Sequence, residues 1–257
     1  MLIAIVVLGN LSLNAQTCDT ISNFSSAYNP VIIPLSAPDW GYLAGHNNYL
    51  DIAKAEYYNY TGTNTHVNGA IMFFGYAFTV NPFATVTATV WDGTGGTPGA
   101  VLGQKDILIQ DIAVNAAASN STYVEFDDAV ELASGEFFIG FTMTAGTDTV
   151  AMITSNPGDV PIGFGTAWEQ QSNGNWFNYN ASWGFDATHA MCPIVVSPTE
   201  AIFTTDNKTG CSGKTIAYDG TNSVNAGTYQ WTFSGGTPSS STAASPNITY
   251  NTPGVYD

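Results

Sequence analysis

The sequence predicts an all-β protein whose larger part is an antiparallel β-sandwich of jelly-roll type. The clearest observation is the alternation of Thr with Val or Ala over residues 84–91, which places Val86, Ala88 and Val90 on one face of a strand. A series of strand-length apolar segments follows, with turn residues between them. Only 9% of the residues are charged, so Thr, Ser and Asn must supply the polar surface. These residues favour strands and turns over helices.

The other elements follow in order along the chain. Residues 69–80 are apolar and rich in β-branched and aromatic side chains, which is typical of a central strand. Residues 121–126, 136–144 and 149–153 have strand length and are predicted as further strands. Residues 106–119 contain neither Gly nor Pro and could form a short helix, but their β-branched content favours a strand followed by a turn.

The segment "DGTGGTPG" at residues 92–99 follows the alternating strand directly. Glycine permits positive φ there, and Pro98 fixes a bend, so the segment is predicted as a loop between strands. It has neither the spacing nor the lysine of a phosphate-binding loop. A nucleotide site is therefore not expected.

The charge of the chain excludes several classes of partner. The 257 residues contain 20 acidic side chains, four lysines and no arginine, which gives a formal net charge of −16. Nucleic acids and anionic lipid surfaces are excluded, because their phosphates must be neutralised by Lys and Arg. Divalent cations and neutral ligands such as glycans remain open.

The first fifteen residues, "MLIAIVVLGNLSLNA", form an apolar run of signal-peptide length. Cleavage after Ala15 fits, although Leu13 is larger than the usual small residue and the basic N-terminal region is missing. The run is too short to span a bilayer, and no other stretch approaches the required length. The chain is therefore predicted to be secreted or attached to the cell surface.

Three cysteines lie at widely separated positions. Cys18 opens the expected mature chain and Cys192 lies near the end of the first domain, so these two are predicted to form a disulfide in an oxidising compartment. Cys211 is left without a partner, which indicates one beyond residue 257.

Residues 25–196 resemble a β-sandwich module of large secreted bacterial surface proteins. The resemblance is carried by "VWDGTGGTPGAVLG", "VEFDDAVELASGEFFIGF" and "NPGDVPIGFGTAWEQQSNGNWFN". It implies a role in adhesion or in extracellular hydrolysis, and it assigns no catalytic residue. We expect this domain to cover residues 16–197.

Residues 199–257 resemble the polycystic-kidney-disease (PKD) domain through "YQWTFSGGTP" and "SPNITYNTPGVYD". The common Gly-Asp-Gly turn is replaced by Ser234, Gly235 and Gly236. The resemblance implies an immunoglobulin-like sandwich that contacts proteins or carbohydrates. Because its last strand is missing, the domain at 198–257 is expected to be incomplete and further domains to follow in the same polypeptide. Alternation alone places Tyr229, Trp231 and Phe233 on one face, opposite Ile248 and Tyr250.

No catalytic constellation is apparent. The three histidines form no His-Glu-x-x-His motif, and no Gly-x-Ser-x-Gly sequence occurs. Asp127 and Asp128 are adjacent, and neighbours on a strand point to opposite faces, so the two cannot flank one glycosidic bond. They are predicted to lie in a turn between strands. The chain is therefore predicted not to be an enzyme.

A structural calcium ion is the only cofactor that the sequence indicates. Asp39, Asp92 and Asp186 lie in loop-like contexts beside Trp or Phe, and carboxylate oxygens are preferred calcium ligands. No EF-hand spacing is present.

The strongest functional candidate is an aromatic platform for glycans. Asparagines are interleaved with aromatic rings between residues 167 and 185, and rings stack on sugars while amides bind hydroxyl groups. The alternative is that core packing explains most of these rings. The candidates are Trp168, Trp176, Tyr179 and Trp183, with Trp40 as a possible further wall together with Tyr42 and His46.

Two functions therefore remain. The first is a noncatalytic extracellular segment for adhesion, for binding a glycan or protein at the cell surface, or for spacing other modules. The second is the accessory region of a secreted protease or glycosidase whose catalytic domain lies outside this sequence.

Overall fold

The computed structural model describes residues 18–36, 39–144, 146, 148–197, 201–207, 209–224 and 226–256. The predicted signal peptide lies outside these residues. The fold is all-β, and every strand pairing in it is antiparallel. Internal contacts divide the described residues into a unit at Cys18–Val196 and a second unit that begins at Ser197.

The described residues of the first unit form fourteen strands and two short helices. They are β1 (Cys18–Thr20), β2 (Pro30–Val31), β3 (Ala53–Asn59), β4 (His66–Met72), β5 (Phe74–Phe78), β6 (Thr85–Asp92), β7 (Val101–Leu108), α1 (Ile109–Ala117), β8 (Thr122–Glu131), β9 (Glu136–Thr142), β10 (Thr149–Met152), β11 (Thr154–Ser155), β12 (Ala167–Gln170), β13 (Trp176–Asn178), α2 (Tyr179–Trp183) and β14 (Met191–Val196).

Two sheets form the sandwich. The six-stranded sheet has the order β13-β12-β3-β9-β6-β7, and the four-stranded sheet has the order β1-β14-β4-β8. Two smaller pairs, β10 with β5 and β11 with β2, complete the unit. Val86, Ala88 and Val90 of β6 are buried in one hydrophobic cluster with residues of the four-stranded sheet, such as Val67 and Met191. The alternation read from the sequence thus identified the core face of β6 correctly.

The segment at 106–119 differs from its prediction. β7 ends at Leu108, and residues 109–117 are helical rather than a strand followed by a turn. Ile109 and Ile112, three positions apart, are both buried and form the inner face of α1. Packing of this face against the core therefore overrides the β-propensity of the segment.

Two other strand predictions are also corrected. The apolar run at 69–80 is divided at Phe73, because β4 joins the four-stranded sheet while β5 pairs with β10. Asp127 and Asp128 lie inside β8 rather than in a turn. They face an irregularity in the β4–β8 ladder, where the pairing shifts between Val67 and Gly69.

The predicted disulfide is wrong for this fold. Cys18 lies opposite Val196 in the β1–β14 ladder, whereas Cys192 lies opposite Ile71 on the other side of β14. Four residues of strand, about 13 Å, separate Cys192 from the position that faces Cys18. A disulfide needs Cα atoms within about 7 Å. Both thiols are free, and so is that of Cys211.

The second unit contains two small antiparallel sheets. Trp231, Phe233 and Ile248 form its core, and Tyr229 and Tyr250 pack against them, as the alternation predicted. Membership of the PKD family stays a prediction. The strands are β15 (Thr204–Thr205), β16 (Lys214–Asp219) and β19 (Asn247–Tyr250) in one sheet, with β17 (Trp231–Thr232) and β18 (Ser240–Ser241) in the other.

Within the described residues, neither helix has the length and apolar character that crossing a bilayer requires.

Candidate ligand-binding groove

Two of the predicted platform residues cover the outer face of the six-stranded sheet. Trp168 and Trp176 are half-buried and pack on a cluster that contains Ala55 and Phe138. The Trp168 ring meets Phe138 edge to face at 5.6 Å, and Trp176 meets Trp91 in the same way at 5.2 Å. The small Ala55 side chain leaves room for these rings against the sheet. Both tryptophans therefore cover a second hydrophobic cluster, which lies on the outer face of the six-stranded sheet.

Two other candidates lie in a different cluster. Tyr179 is only 1% exposed, and its hydroxyl donates to the carbonyl of Leu43 at 3.2 Å. Trp183 is half-buried, and its indole N–H donates to Glu169 Oε2 at 2.9 Å. Stacking on a sugar needs an open ring face, so the prediction for Tyr179 is wrong. The predicted residues do not form a single platform.

Trp40 lies on an open groove with aromatic walls. Trp40 is 39% exposed and Tyr76 is 41% exposed, while Tyr42 packs against Tyr76 with ring centroids 5.6 Å apart. The volume of the groove is about 670 Å³. We call it the aromatic groove, and the described residues that line it are Pro34, Leu35, Ser36, Asp39, Trp40, Gly41, Tyr42, Tyr76 and Thr149.

Backbone hydrogen bonds hold Trp40 in place. The N–H of Leu35 donates to the carbonyl of Gly41 at 2.9 Å, and the N–H of Asn48 donates to the carbonyl of Trp40 at 3.0 Å. Gly41 has φ +79°, and a Cβ atom there would lie 2.2 Å from the carbonyl oxygen of His46. Only glycine fits this position. The position of Trp40 in the wall of the groove is therefore fixed by backbone hydrogen bonds and by the close packing at Gly41.

A second cavity, of about 180 Å³, adjoins the aromatic groove. The two share Asp39, Gly41 and Thr149, so they form one continuous surface. We call it the acidic pocket. Its lining is rich in carboxylates and amides: Asp39, Gly41, His46, Asn47, Asn48, Leu50, Asp51, Thr144, Gly146, Asp148 and Thr149.

His46 adds no positive charge to the acidic pocket at neutral pH. Burial holds the pKa of His46 below its ordinary value, although a backbone hydrogen bond and Asp148 act in the opposite direction. Nδ1 accepts from the N–H of Val150 at 3.1 Å, and Nε2 lies 3.2 Å from the carbonyl of Thr144. A neutral imidazole protonated on Nε2 satisfies both contacts, and we assign that tautomer on this ground. Asp39 and Asp148 therefore meet no cationic partner in His46.

The other two calcium candidates have structural partners. Asp92 Oδ1 accepts from the N–H and the hydroxyl of Thr94, which closes the start of the glycine-rich loop. Asp186 Oδ2 accepts from the N–H of Gly163 at 2.7 Å and from Asn180 at 3.1 Å. Among the described side chains, no three of His, Cys, Asp and Glu lie close enough to share an ion. The calcium ion stays a prediction.

Sequence reasoning missed the contribution of β5 and β10 to the groove. Tyr76 belongs to the apolar run at 69–80, which the sequence predicts as a central strand, and Thr149 lies 73 residues further along the chain. Pairing of β10 with β5 places Ala151 opposite Tyr76 and brings both strands beside Tyr42. Tyr42 itself was named with Trp40, but its neighbours depend on a long-range strand pairing.

Titratable groups also meet in the interior. His189, Glu56 and Glu169 are each at most 1% exposed. Burial, followed by the charge of Lys54, lowers the pKa of His189 to about 3. Burial raises the pKa of Glu56 to about 8. These groups lie inside packed protein, where no substrate can reach them.

Comparisons with protein-family models, with curated proteins and with solved structures find no match for this chain.

Proposed function

We propose that this chain is a noncatalytic binding segment of a secreted or cell-surface protein, and that the aromatic groove and acidic pocket hold a glycan. The observation that carries the proposal is the continuity of an exposed indole wall with a pocket of amide and carboxylate groups. Sugars present apolar C–H faces to aromatic rings and hydroxyl groups to amides and carboxylates. The resemblances at 25–196 and 199–257 to modules of secreted proteins support the same role.

The electrostatics favour an uncharged ligand over an anionic one. Asp39 and Asp148 line the acidic pocket, and its histidine is neutral at physiological pH. An anionic group would be repelled there, and the net charge of −16 adds to this effect at long range. Neutral hexose oligosaccharides are therefore the first ligands to test.

Binding of a neutral oligosaccharide panel, measured by glycan array and then by calorimetry, tests the proposal. Trp40→Ala should abolish or strongly weaken binding, because the exposed Trp40 indole forms one wall of the groove. Phe164→Ala is the matched control, since Phe164 is an exposed aromatic residue that does not line the groove. Wild-type protein that binds no member of the panel, or equal binding by the Trp40 variant, would contradict the proposal.

A further inference from the structure

Four exposed aromatic residues follow one another across the surface that carries the aromatic groove. Tyr49 and Trp40 meet edge to face, with ring centroids 5.3 Å apart. Trp40 and Tyr76 line the aromatic groove together, and Phe78 lies two residues beyond Tyr76 on β5. Each of the four residues is between 39% and 50% exposed. We call this series the aromatic row.

The register of β5 and β10 places Phe78 beside the aromatic groove. Phe78 lies directly opposite Thr149, and Tyr76 lies directly opposite Ala151. Residues opposite each other on antiparallel strands share a face, with Cβ atoms about 4.5–5.5 Å apart. Thr149 lines both the aromatic groove and the acidic pocket. Phe78 therefore extends the surface of the groove past Thr149.

The other face of the β5–β10 pair is packed in the interior. Val150 is buried in the main hydrophobic core, and Ala77, which lies opposite it in the ladder, packs against the same core. The backbone that carries Tyr76 and Phe78 is therefore held in position by core packing. Because this backbone is already ordered, a ligand loses little conformational entropy of the protein when it binds.

Polar groups lie beside the aromatic row. Asn48 and Thr149 line the adjoining acidic pocket, and the hydroxyl of Thr79, the residue after Phe78, donates to Asp148 Oδ1 at 2.5 Å. The described residues that line the groove and the pocket include no lysine, and the chain contains no arginine. Hydroxyl, amide and carboxylate groups next to aromatic rings match the hydroxyl groups and the apolar C–H faces of uncharged sugars.

The shape of the aromatic row favours a chain-like ligand. A protein interface of ordinary size buries about 800 Å² on each partner. The row instead presents its rings one after another, and Tyr76 and Phe78 are about 7 Å apart along the strand. A ligand that contacts all four rings must therefore be an extended chain that offers an apolar face in successive units.

We propose that the ligand is a linear neutral oligosaccharide bound along its length, with successive sugar units on the aromatic row from Tyr49 to Phe78. This inference rests on the proposed glycan-binding function and adds Phe78 as a binding residue that selects for chain length. The groove continues past Thr149 at Phe78, so an interior stretch of a sugar chain is recognised rather than a terminal sugar. A short oligosaccharide covers only part of the row.

Calorimetry with oligosaccharides of two lengths tests the proposal. The probes are β-1,4-linked glucose, β-1,4-linked mannose and α-1,4-linked glucose, each as a two-unit and a six-unit oligomer. In at least one series the wild-type chain should bind the six-unit form more tightly by on the order of tenfold, because it contacts more rings. Equal affinity for both lengths would refute this inference and leave the glycan function standing. Binding of neither length in any series would also refute it, and the wider glycan panel then tests the proposed function by itself.

Two variants test the assignment of Phe78. Phe78→Ala should weaken binding of the six-unit oligomer by on the order of tenfold and leave the two-unit oligomer, which remains on Trp40, unaffected. Tyr123→Ala is the matched control, because Tyr123 is a 53% exposed aromatic residue on β8 of the four-stranded sheet. It should bind both lengths as the wild type does. Unchanged six-unit affinity in the Phe78 variant would contradict the proposal.

A polyproline peptide distinguishes a protein ligand from a glycan, since extended proline-rich segments also bind aromatic grooves. We expect no binding of this peptide by the wild-type chain. Peptide binding that is lost in the Phe78 variant, without binding of any oligosaccharide, would assign the aromatic row to a protein partner and overturn the proposal. If the Phe78 variant fails to fold, the comparison of chain lengths on the wild-type chain is decisive alone.

Discussion

The backbone N–H of His189 donates a hydrogen bond of 2.8 Å to Oε2 of Glu56, across 133 residues of sequence. The other carboxyl oxygen of Glu56 accepts from Asn23 Nδ2 at 3.0 Å and from the hydroxyl of Thr166. Glu56 therefore links three segments that are distant in sequence: the one that contains Asn23, the residue before β12, and the residues that precede β14. It does so without a cationic partner within hydrogen-bond distance among the described residues.

Glu56 should make the fold less stable as the pH rises. Burial raises its pKa from the ordinary value of 4.5 to about 8 in the folded state. The folded chain thus keeps a proton that the unfolded chain releases, so stability falls between about pH 4.5 and pH 8, by on the order of a few kcal/mol. Glu56→Gln should flatten this slope in urea unfolding curves recorded across the pH range. An unchanged slope in the variant would contradict the assignment.

His189 should limit stability on the acidic side. Its folded-state pKa is about 3, against an ordinary value of 6.5, because burial and the charge of Lys54 disfavour the imidazolium. The unfolded chain binds a proton that the folded chain does not, so stability falls as the pH drops from about 6.5 towards 3. Together with Glu56, this places maximum stability near pH 5–6. Thermal unfolding in a buffer series would locate the maximum, and a maximum above pH 8 would rule out this account.

Gly41→Ala should disrupt the aromatic groove. Its positive φ and the 2.2 Å approach to the His46 carbonyl both oppose a side chain, so we expect a loss of at least about 2 kcal/mol in stability and a loss of ligand binding. Gly95→Ala is the control, because Gly95 also has positive φ but faces open space. It should cost about 1 kcal/mol and leave binding intact. Chemical denaturation and calorimetry would report both effects, and equal results for the two variants would refute the close-contact argument.

Alanine substitutions at Trp176 and Trp40 should have opposite effects: the first should lower the stability of the fold, and the second should weaken ligand binding. Trp176→Ala opens the outer core beside Trp91 and should destabilise the fold by about 2–3 kcal/mol, with glycan affinity unchanged. Trp40→Ala removes an exposed ring and should change stability by less than about 0.5 kcal/mol. Unfolding midpoints measured beside ligand titrations test the pair. Loss of binding by the Trp176 variant with its fold intact would instead favour the glycan platform that the sequence predicts around Trp176.

The thiols of Cys18 and Cys192 should both react with an alkylating reagent in the absence of a reductant. Cys18 and Cys192 face different neighbours in the sheet and cannot approach each other without breaking the β1–β14 ladder. Alkylation in denaturant without reductant should therefore modify both, and a reductant should not shift the unfolding temperature. Recovery of a Cys18–Cys192 crosslinked peptide would show that the register is different.

Local patterns were sufficient for the core face of β6 and for the small core of the second unit. The alternation around Val86 and Ala88 follows from the two-residue period of a strand with one buried face, and that period is visible in any window of the chain. The aromatic alternation at Trp231 and Phe233 located the small core of the second unit for the same reason. In contrast, α1 depended on the surface against which Ile109 and Ile112 pack, which a local window does not contain.

The site depended on tertiary structure almost entirely. A tryptophan in an aromatic, asparagine-rich stretch has the same sequence signature whether its ring covers a sheet, as Trp176 does, or borders a groove, as Trp40 does. Which of these occurs is set by strand pairings between distant residues, such as those that bring Tyr76 beside Tyr42 and Glu169 opposite Lys54. Composition and periodicity are local quantities and were enough to specify an acidic, all-β chain. Burial and proximity are properties of the folded chain, so only the packed sheets could distinguish an exposed indole from a buried one.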